Sequence, residues 1–170
     1  MKIKETYSIN NAEHLLKSSD HISNFRLIKK IIKDVKINRQ YKISLSKNTI
    51  GKKFYDPKAL NRQFNSLFNK EEFFKLKTEK FDSNTEIDFY KDNLGLEIQF
   101  GKYAFITYDI NKLKHFNDKN IVKVGVLVVP TKKMAHNMSV GGGNFDIAVN
   151  EIKVIEDSFK VPIIVLGIEP

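Results

Sequence analysis

Two nearly continuous apolar segments late in the chain constrain the fold more than any other feature. Ile121–Val129 and Pro162–Ile168 are rich in β-branched residues, and both have the length of strands. Strands with apolar side chains on both faces lie in the middle of a sheet that is covered on both sides. Phe145–Phe159, between them, has the apolar spacing of a helix. This alternation predicts an α/β fold with a mixed central sheet flanked by helices.

Helical periodicity dominates the first third of the chain. Apolar residues recur at spacings of three and four over residues 22–35, and Ser19 or Asp20 is available as the N-cap. The lysines on the opposite face of this helix are expected to be solvated. We therefore predict that residues 1–56 form the helical N-terminal part of one domain spanning residues 1–170, a length that suits a single core.

Two further helices are predicted between this part and the apolar strands. Asp56 suits an N-cap and Pro57 the first helical turn that follows it, so a helix is expected to begin there. Residues 103–116 form the second predicted helix.

The charge balance indicates a polyanionic partner. The chain has 29 Lys and Arg residues against 20 Asp and Glu, for a formal net charge of +9. A basic surface attracts nucleic acids, although a proteome generally rich in lysine is the alternative explanation. Cysteine is absent, which excludes disulfides, thiolate metal sites and cysteine nucleophiles. Because no apolar segment resembles a membrane span or a signal peptide, we expect a cytoplasmic protein.

The most informative segment is a predicted hairpin over residues 85–100, with an Asp-Asn pair at its turn. On its second strand Glu97 and Gln99 share one face, because side chains alternate along a strand. Pairing of the two strands brings Asp88 near both of them. Three oxygen-bearing side chains are therefore expected to converge at one end of a sheet.

These groups suit a hard divalent cation. The carboxylates of Asp88 and Glu97, with the backbone carbonyl of Ile98, supply the oxygen ligands that Mg²⁺ prefers. A bound Mg²⁺ can hold a phosphate, lower the pKa of a water ligand and stabilise the charge that develops in an in-line displacement. The spacing alone also fits the polar face of an ordinary edge hairpin, so it does not decide between the two interpretations.

The flanking sequence favours the catalytic interpretation. In chain order, the segments concerned are Ile87–Phe89, Leu96–Phe105, Tyr108-Asp109, Val124–Pro130, Met134 and Met138–Gly141. Together they resemble the BglII/BstYI group of type II restriction endonucleases, which belong to the PD-(D/E)xK nuclease superfamily. The resemblance covers about residues 57–168. In that group glutamine replaces the usual third-position lysine, as Gln99 does here.

The resemblance implies a restriction-endonuclease-like fold in which residues 57–170 are the catalytic and recognition core. It implies a homodimer that cuts both strands of a short palindromic DNA site, often one containing GATC, with Mg²⁺ or with Mn²⁺ as a substitute. Asp88 and Glu97 would be metal ligands, and Gln99 would orient the attacking water or the phosphate. The partner gene would encode a cognate DNA methyltransferase, and the setting would be the prokaryotic cytoplasm.

Several residues are predicted to contact DNA or to lie beside the active site. The predicted DNA contacts are Gly101, Lys102, Lys132, Lys133, Ser139 and Asn144. A solvated side chain is the alternative for Lys102. A flexible surface loop is the alternative for Met138–Asn144, whose three consecutive glycines depart from the family pattern and leave the recognised sequence open. The resemblance also implies a polar helix residue near the active site, for which Asn61 and Asn65 are the candidates.

Two questions stay open at the level of sequence. Phe105 and Tyr108 are candidate dimer contacts, with the core of the monomer as the alternative. The competing functions are a non-catalytic DNA-binding module of the same fold and a repair nuclease of low sequence specificity. The intact set of Asp88, Glu97 and Gln99 argues against loss of catalysis.

Overall fold

The protein has a mixed sheet at its centre, covered by helices on both faces. The computed structural model describes residues 1–37, 41–77, 85–138 and 142–170. Within these ranges the strands are β1 (Lys2–Ile9), β2 (Tyr41–Ile43), β3 (Lys53–Tyr55), β4 (Phe74–Lys77), β5 (Glu86–Lys91), β6 (Leu94–Ile98), β7 (Val124–Pro130) and β8 (Ile163–Glu169). The helices are α1 (Ala12–Lys17), α2 (Ile22–Asp34), α3 (Pro57–Lys70), α4 (Tyr103–Asp118), α5 (Lys132–His136) and α6 (Phe145–Ile155).

The two apolar segments form the middle of the sheet, as predicted. The main sheet has the order β1-β8-β7-β6-β5-β4, while β2 and β3 pair separately. Strands β6, β7 and β8 run parallel to one another, and β1 and β5 are antiparallel to them. Strand β4 pairs antiparallel with β5 and so runs in the same direction as β6. The parallel centre explains why β7 and β8 are apolar on both faces, since helices cover each side.

The sheet divides the core into two layers. On one side, Val124, Val126 and Val128 of β7 pack with α1, α2 and α3. On the other side, Leu127 and Val129 pack with α4 and α6. In the described part of the chain, no helix is long and apolar enough to cross a membrane.

Two glycines let α4 approach the sheet closely. Gly95 of β6 and Gly125 of β7 are neighbours in the parallel register. A Cβ atom on either glycine would lie 3.0 Å from a methyl carbon of Leu113. Because such a distance is tighter than ordinary van der Waals contact, Leu113 occupies the space that these missing side chains leave.

Three local predictions, the Asp56 cap, the Asp-Asn turn and the helix after residue 102, are confirmed. Asp56 caps α3 by accepting a hydrogen bond from the backbone N–H of Lys58, with proline in the first turn. Asp92 and Asn93 have positive φ angles of 49° and 61°, as the turn between β5 and β6 requires. The predicted helix over residues 103–116 is α4.

The first third of the chain is less helical than predicted. Residues 2–9 form the edge strand β1, and α2 has His21 rather than Ser19 or Asp20 at its N-cap. Strand β1 is half-exposed and contains only three apolar or aromatic residues, Ile3, Tyr7 and Ile9, so it carries only a weak apolar signal. Strands β2 and β3 also lie within residues 1–56, which were predicted to be helical. Strand β4 and the short helix α5 lie where no element was predicted.

Candidate active site

The strands of the predicted hairpin separate at the residues proposed for catalysis. Strands β5 and β6 pair from Lys91↔Leu94 to Phe89↔Leu96. Beyond this point the Asp88 side chain replaces the backbone as hydrogen-bond acceptor. Its Oδ2 accepts a hydrogen bond from the backbone N–H of Ile98 at 3.2 Å. The carboxylate of Asp88 is thus fixed at the point where the two strands diverge.

Glu97 lies on the α4 side of the sheet and is fully buried. Its Oε1 is 2.8 Å from Nζ of Lys112, whereas its Oε2 has no hydrogen-bond partner among the described residues. Burial raises the pKa of Glu97 well above its usual range, and the charges of Asp88 and Asp109 raise this pKa further. A cation beside Asp88 and Glu97 would relieve this repulsion.

Gln99 is held in place by two hydrogen bonds. Its Nε2 donates to Oδ2 of Asp109 at 2.7 Å, and its Oε1 accepts from the backbone N–H of Gly101 at 2.7 Å. Asp109 is itself buried, and its pKa is raised by burial against the opposing effect of Lys112. The amide of Gln99 is therefore oriented by the protein before any substrate arrives.

Lys112 joins these groups and was not foreseen from the sequence. Its Nζ contacts Glu97 at 2.8 Å and Asp109 at 2.9 Å, and its side chain is only 8% exposed. Burial lowers the pKa of Lys112, but the two carboxylates outweigh burial and the net pKa is raised. The sequence signal was the spacing of Asp109 and Lys112, three residues apart on a helix face that is otherwise apolar.

A small cavity lies on the other side of Asp88, against α3. It has a volume of about 80 Å³ and is lined by Asn61, Phe64, Asn65, Lys75, Asp88, Phe89 and Ile98. Both helix residues named from the sequence, Asn61 and Asn65, therefore face the same cavity as Asp88. The sequence did not identify Lys75, which reaches this cavity from β4.

The residues present fit a hard cation bound in part by other ligands. Within the described ranges, no group of three or more His, Asp or Glu residues forms a metal site. Asp88, Glu97 and the Ile98 carbonyl are two carboxylates and one backbone oxygen, a set that Mg²⁺ ordinarily completes with water and substrate phosphate. The buried Glu97 oxygen without a partner is consistent with a cation at this position.

A known protein family matches this chain over nearly its whole length. The family model described as Restriction endonuclease BglII/BglIII matches residues 4–168. The chain belongs to the BglII/BglIII restriction endonuclease family. It is accordingly a type II site-specific endonuclease, a hydrolase.

Solved structures show the same fold for this BglII-family chain. It matches a crystal structure of restriction endonuclease BglII complexed with a DNA 16-mer at a TM-score of 0.85 and 21% identity, covering 98% of this chain and 76% of that one. It matches free BglII at a TM-score of 0.71 and 18% identity, covering 100% and 80%. The predicted restriction-endonuclease-like fold is therefore confirmed. A comparison with curated proteins finds no match.

The predicted DNA contacts of this BglII-family chain lie in two places. Gly101 and Lys102 connect β6 to α4, and Lys102 is exposed at the N-cap of that helix. Lys132 and Lys133 lie on α5 and line a cavity of about 760 Å³. Ser139 falls outside the described residues.

The charges around this larger cavity are mixed. Besides the two lysines of α5, the charged residues and histidine that line it are Lys4, Glu5, His136, Asp146 and Glu169. Burial raises the pKa of the Glu5 carboxyl, and the charges of Asp146 and Glu169 raise this pKa further. The carboxylates offset part of the positive charge that the lysines would present to a phosphate.

Asn144 has a structural role in the folded chain. It is the N-cap of α6, where its Oδ1 accepts from the N–H of Ile147 at 3.3 Å and its Nδ2 donates to the carbonyl of Gly142 at 3.1 Å. Contact with a base would require these local bonds to be shared or exchanged. The sequence pattern did not distinguish a capping asparagine from one that reads DNA.

Three aromatic side chains on α4 are exposed. Tyr103, Phe105 and Tyr108 are 61%, 52% and 49% exposed. These values rule out the alternative that Phe105 and Tyr108 belong to the monomer core. Phe105 and Tyr108, three residues apart, form an exposed aromatic face on α4, the helix whose inner side carries Asp109 and Lys112.

Proposed function

We propose that the chain, acting as one nuclease domain, makes Mg²⁺-dependent double-strand cuts at a short palindromic DNA site. The observation that carries this proposal is a fully buried Glu97 that the charge of Asp88 repels, at the point where β5 and β6 diverge. Opposed carboxylates of this kind are costly unless a cation binds them. A GATC-containing site is the further expectation from the family resemblance.

Mg²⁺, with Mn²⁺ as a substitute, would be held by Asp88, Glu97 and the Ile98 carbonyl, and would activate the attacking water and stabilise the charge on the phosphate. Asp88 is already positioned by the Ile98 N–H, and Glu97 by Lys112. Gln99 uses one Nε2–H for Asp109, so its second N–H is the donor that we assign to the water or the phosphate. An uncharged amide cannot serve as a general acid here, so Gln99 orients and does not transfer protons.

Asn61 and Asn65 are proposed to line the same reaction cavity. Both face Asp88 across a space of about 80 Å³, where an amide can donate a hydrogen bond to a phosphate oxygen or a water. Either residue would then position the substrate without changing the charge of the site.

Double-stranded DNA is the proposed partner, and the net charge of +9 favours its approach. We assign phosphate contacts to three lysines. Lys102 lies between β6 and α4, and Lys132 and Lys133 lie on α5. Gly101 would allow close approach of DNA, while Ser139 and Asn144 remain candidate base contacts.

A homodimer is proposed because a palindromic site presents two equivalent halves. The exposed aromatic face of α4, formed by Phe105 and Tyr108, is the surface we assign to self-association. A cognate DNA methyltransferase is the expected genetic partner in a prokaryotic cytoplasm, because it would protect host DNA from this activity.

The test is digestion of a defined plasmid with Mg²⁺, followed by sequencing of the ends. Discrete fragments with identical ends support the proposal, whereas a smear indicates a nuclease of low specificity. Binding without cleavage in Mg²⁺ or Mn²⁺ indicates a non-catalytic module. Asp88→Asn and Glu97→Gln, which keep side-chain size, should abolish cutting. Asp118→Asn, in an exposed pair with Lys114 on α4, is the matched control and should cut normally.

A further inference from the structure

Among the described residues that line the cavity beside Asp88, Lys75 is the cationic side chain. Gln99 is neutral, and its amide is bound to Asp109 and Gly101. Lys112 is buried behind Glu97 and shared by two carboxylates. A phosphate that gains charge in the transition state is stabilised by a positive group placed beside it.

Lys75 is placed to supply that charge. Its strand, β4, pairs with β5 through Phe74↔Tyr90 and Leu76↔Ile87, so Lys75 lies opposite the Asp88 region. Leu76 of β4 and Tyr90 of β5 pack with the α4 layer. Because side chains alternate along a strand, Lys75, which is next to Leu76, points toward the opposite face of the sheet. On that face Lys75 lines the cavity shared by Asp88, Asn61 and Asn65.

The ammonium of Lys75 is charged and held by a replaceable partner. It forms an ion pair with Glu86, and this hydrogen bond is the main reason that the pKa of Glu86 is lowered. Lys77 also lies near Glu86, at 3.7 Å from its Oε2. Glu86 is 32% exposed, so water can solvate its carboxylate if Lys75 turns toward a substrate.

We propose that Lys75 is a catalytic residue that contacts the scissile phosphate and supplies the positive charge that Gln99 lacks. This inference rests on the proposed function. The flexible four-carbon stem of lysine suits a move from Glu86 to a nearby phosphate oxygen. The expected ligand of Lys75 is a non-bridging oxygen of one DNA phosphate. Lys75 would recognise its charge, whatever the base sequence.

The first experiment measures single-turnover cleavage by Lys75→Met, Lys75→Arg and Lys77→Met. Lys77→Met is the matched control, because Lys77 shares the strand and the Glu86 partner but does not line the cavity. We expect Lys75→Met to slow cleavage roughly 10- to 100-fold, below the loss seen for fully enclosed donors because Lys75 is 53% exposed. Lys75→Arg should recover part of the rate, and Lys77→Met should match the unmodified chain.

A second experiment measures DNA affinity without cleavage, with Ca²⁺ in place of Mg²⁺. One duplex has the normal phosphate at the sequenced cut position, and the other has an uncharged methylphosphonate there. Lys75→Met should weaken binding to the normal duplex by about three- to tenfold and leave binding to the methylphosphonate duplex unchanged. The reason is that the substitution and the methylphosphonate each remove one partner of the same contact. Melting curves of the variants check that each is folded.

The outcomes separate the two proposals. Failure of the unmodified chain to cut DNA overturns the proposed function, and the role of Lys75 with it. Cleavage by the unmodified chain with equal rates for Lys75→Met and Lys77→Met overturns the role of Lys75 alone. An equal loss of affinity on both duplexes also overturns it, because the lost interaction would then not involve the scissile phosphate.

Discussion

Replacing Lys112 by methionine should destabilise the protein strongly, and the loss should depend on pH. Methionine keeps most of the aliphatic stem but removes the ammonium that contacts Glu97 at 2.8 Å and Asp109 at 2.9 Å. Both carboxylates are buried, so loss of their cation leaves two unpaired charges. Breaking a buried pair in this way costs about 3–5 kcal/mol of unfolding free energy at neutral pH.

The direction of the pH dependence follows from the carboxyl groups. The pKa values of Glu97 and Asp109 are already raised, so the folded state binds their protons more tightly than the unfolded state does. Their contribution to stability is therefore greatest at acid pH. It decreases as pH rises above the pKa values of the unfolded chain, which are about 4, toward the raised pKa values of the folded chain. Without Lys112 both pKa values rise further, so the decrease extends to higher pH. The difference between variant and unmodified chain should grow from pH 4 to pH 8.

Urea denaturation followed by circular dichroism at several pH values measures this difference. Lys114→Met is the control on the same helix, since the pair of Lys114 with Asp118 is exposed and should contribute under about 1 kcal/mol. The lysine itself stays charged across this range, because its pKa is raised. A loss that is constant with pH, or no larger than that of Lys114→Met, would refute the reasoning.

Three other substitutions test the fold, the loop and the assembly. Gly95→Ala places a Cβ 3.0 Å from Leu113, so the melting temperature should fall with a loss of about 1–3 kcal/mol. Asn144→Ala removes the cap of α6, and urea titration should show a loss of about 1 kcal/mol; an unchanged midpoint would contradict the capping role. Phe105→Lys puts a charge on the aromatic face of α4, so sedimentation should show monomers at concentrations where we expect the unmodified chain to dimerise. A dimer of unchanged affinity would exclude this face.

The sequence identified the elements of the site because their signals are local. Alternation over the hairpin, the Asp-Asn turn and the Asp56 cap all depend on neighbours within a few residues. Asn61 and Asn65 were recognised as helical and polar, but their direction depends on how α3 packs against the sheet. The structure supplies that direction by placing both residues in the cavity beside Asp88.

The ionic partners were not predictable in the same way. Lys112 meets Glu97 only because α4 packs on β6, and Lys75 reaches the Asp88 cavity only through an antiparallel pairing with a register shift. Lysines are numerous in this chain, so neither stood out from the others. Edge strand β1 was missed for a related reason, since its pairing with β8 and not its apolar content makes it a strand.

The close approach of α4 to the sheet has a consequence for the chemistry. Gly95 and Gly125 set the spacing between the helix and the strands, and Leu113 fills the gap next to Lys112. Two residues without side chains therefore determine where the ammonium of Lys112 lies beside Glu97. Enlarging either glycine would move α4 away from the strands and lengthen the ion pair between Lys112 and Glu97, so the spacing between helix and sheet controls the charge of the carboxylate that we propose as a metal ligand.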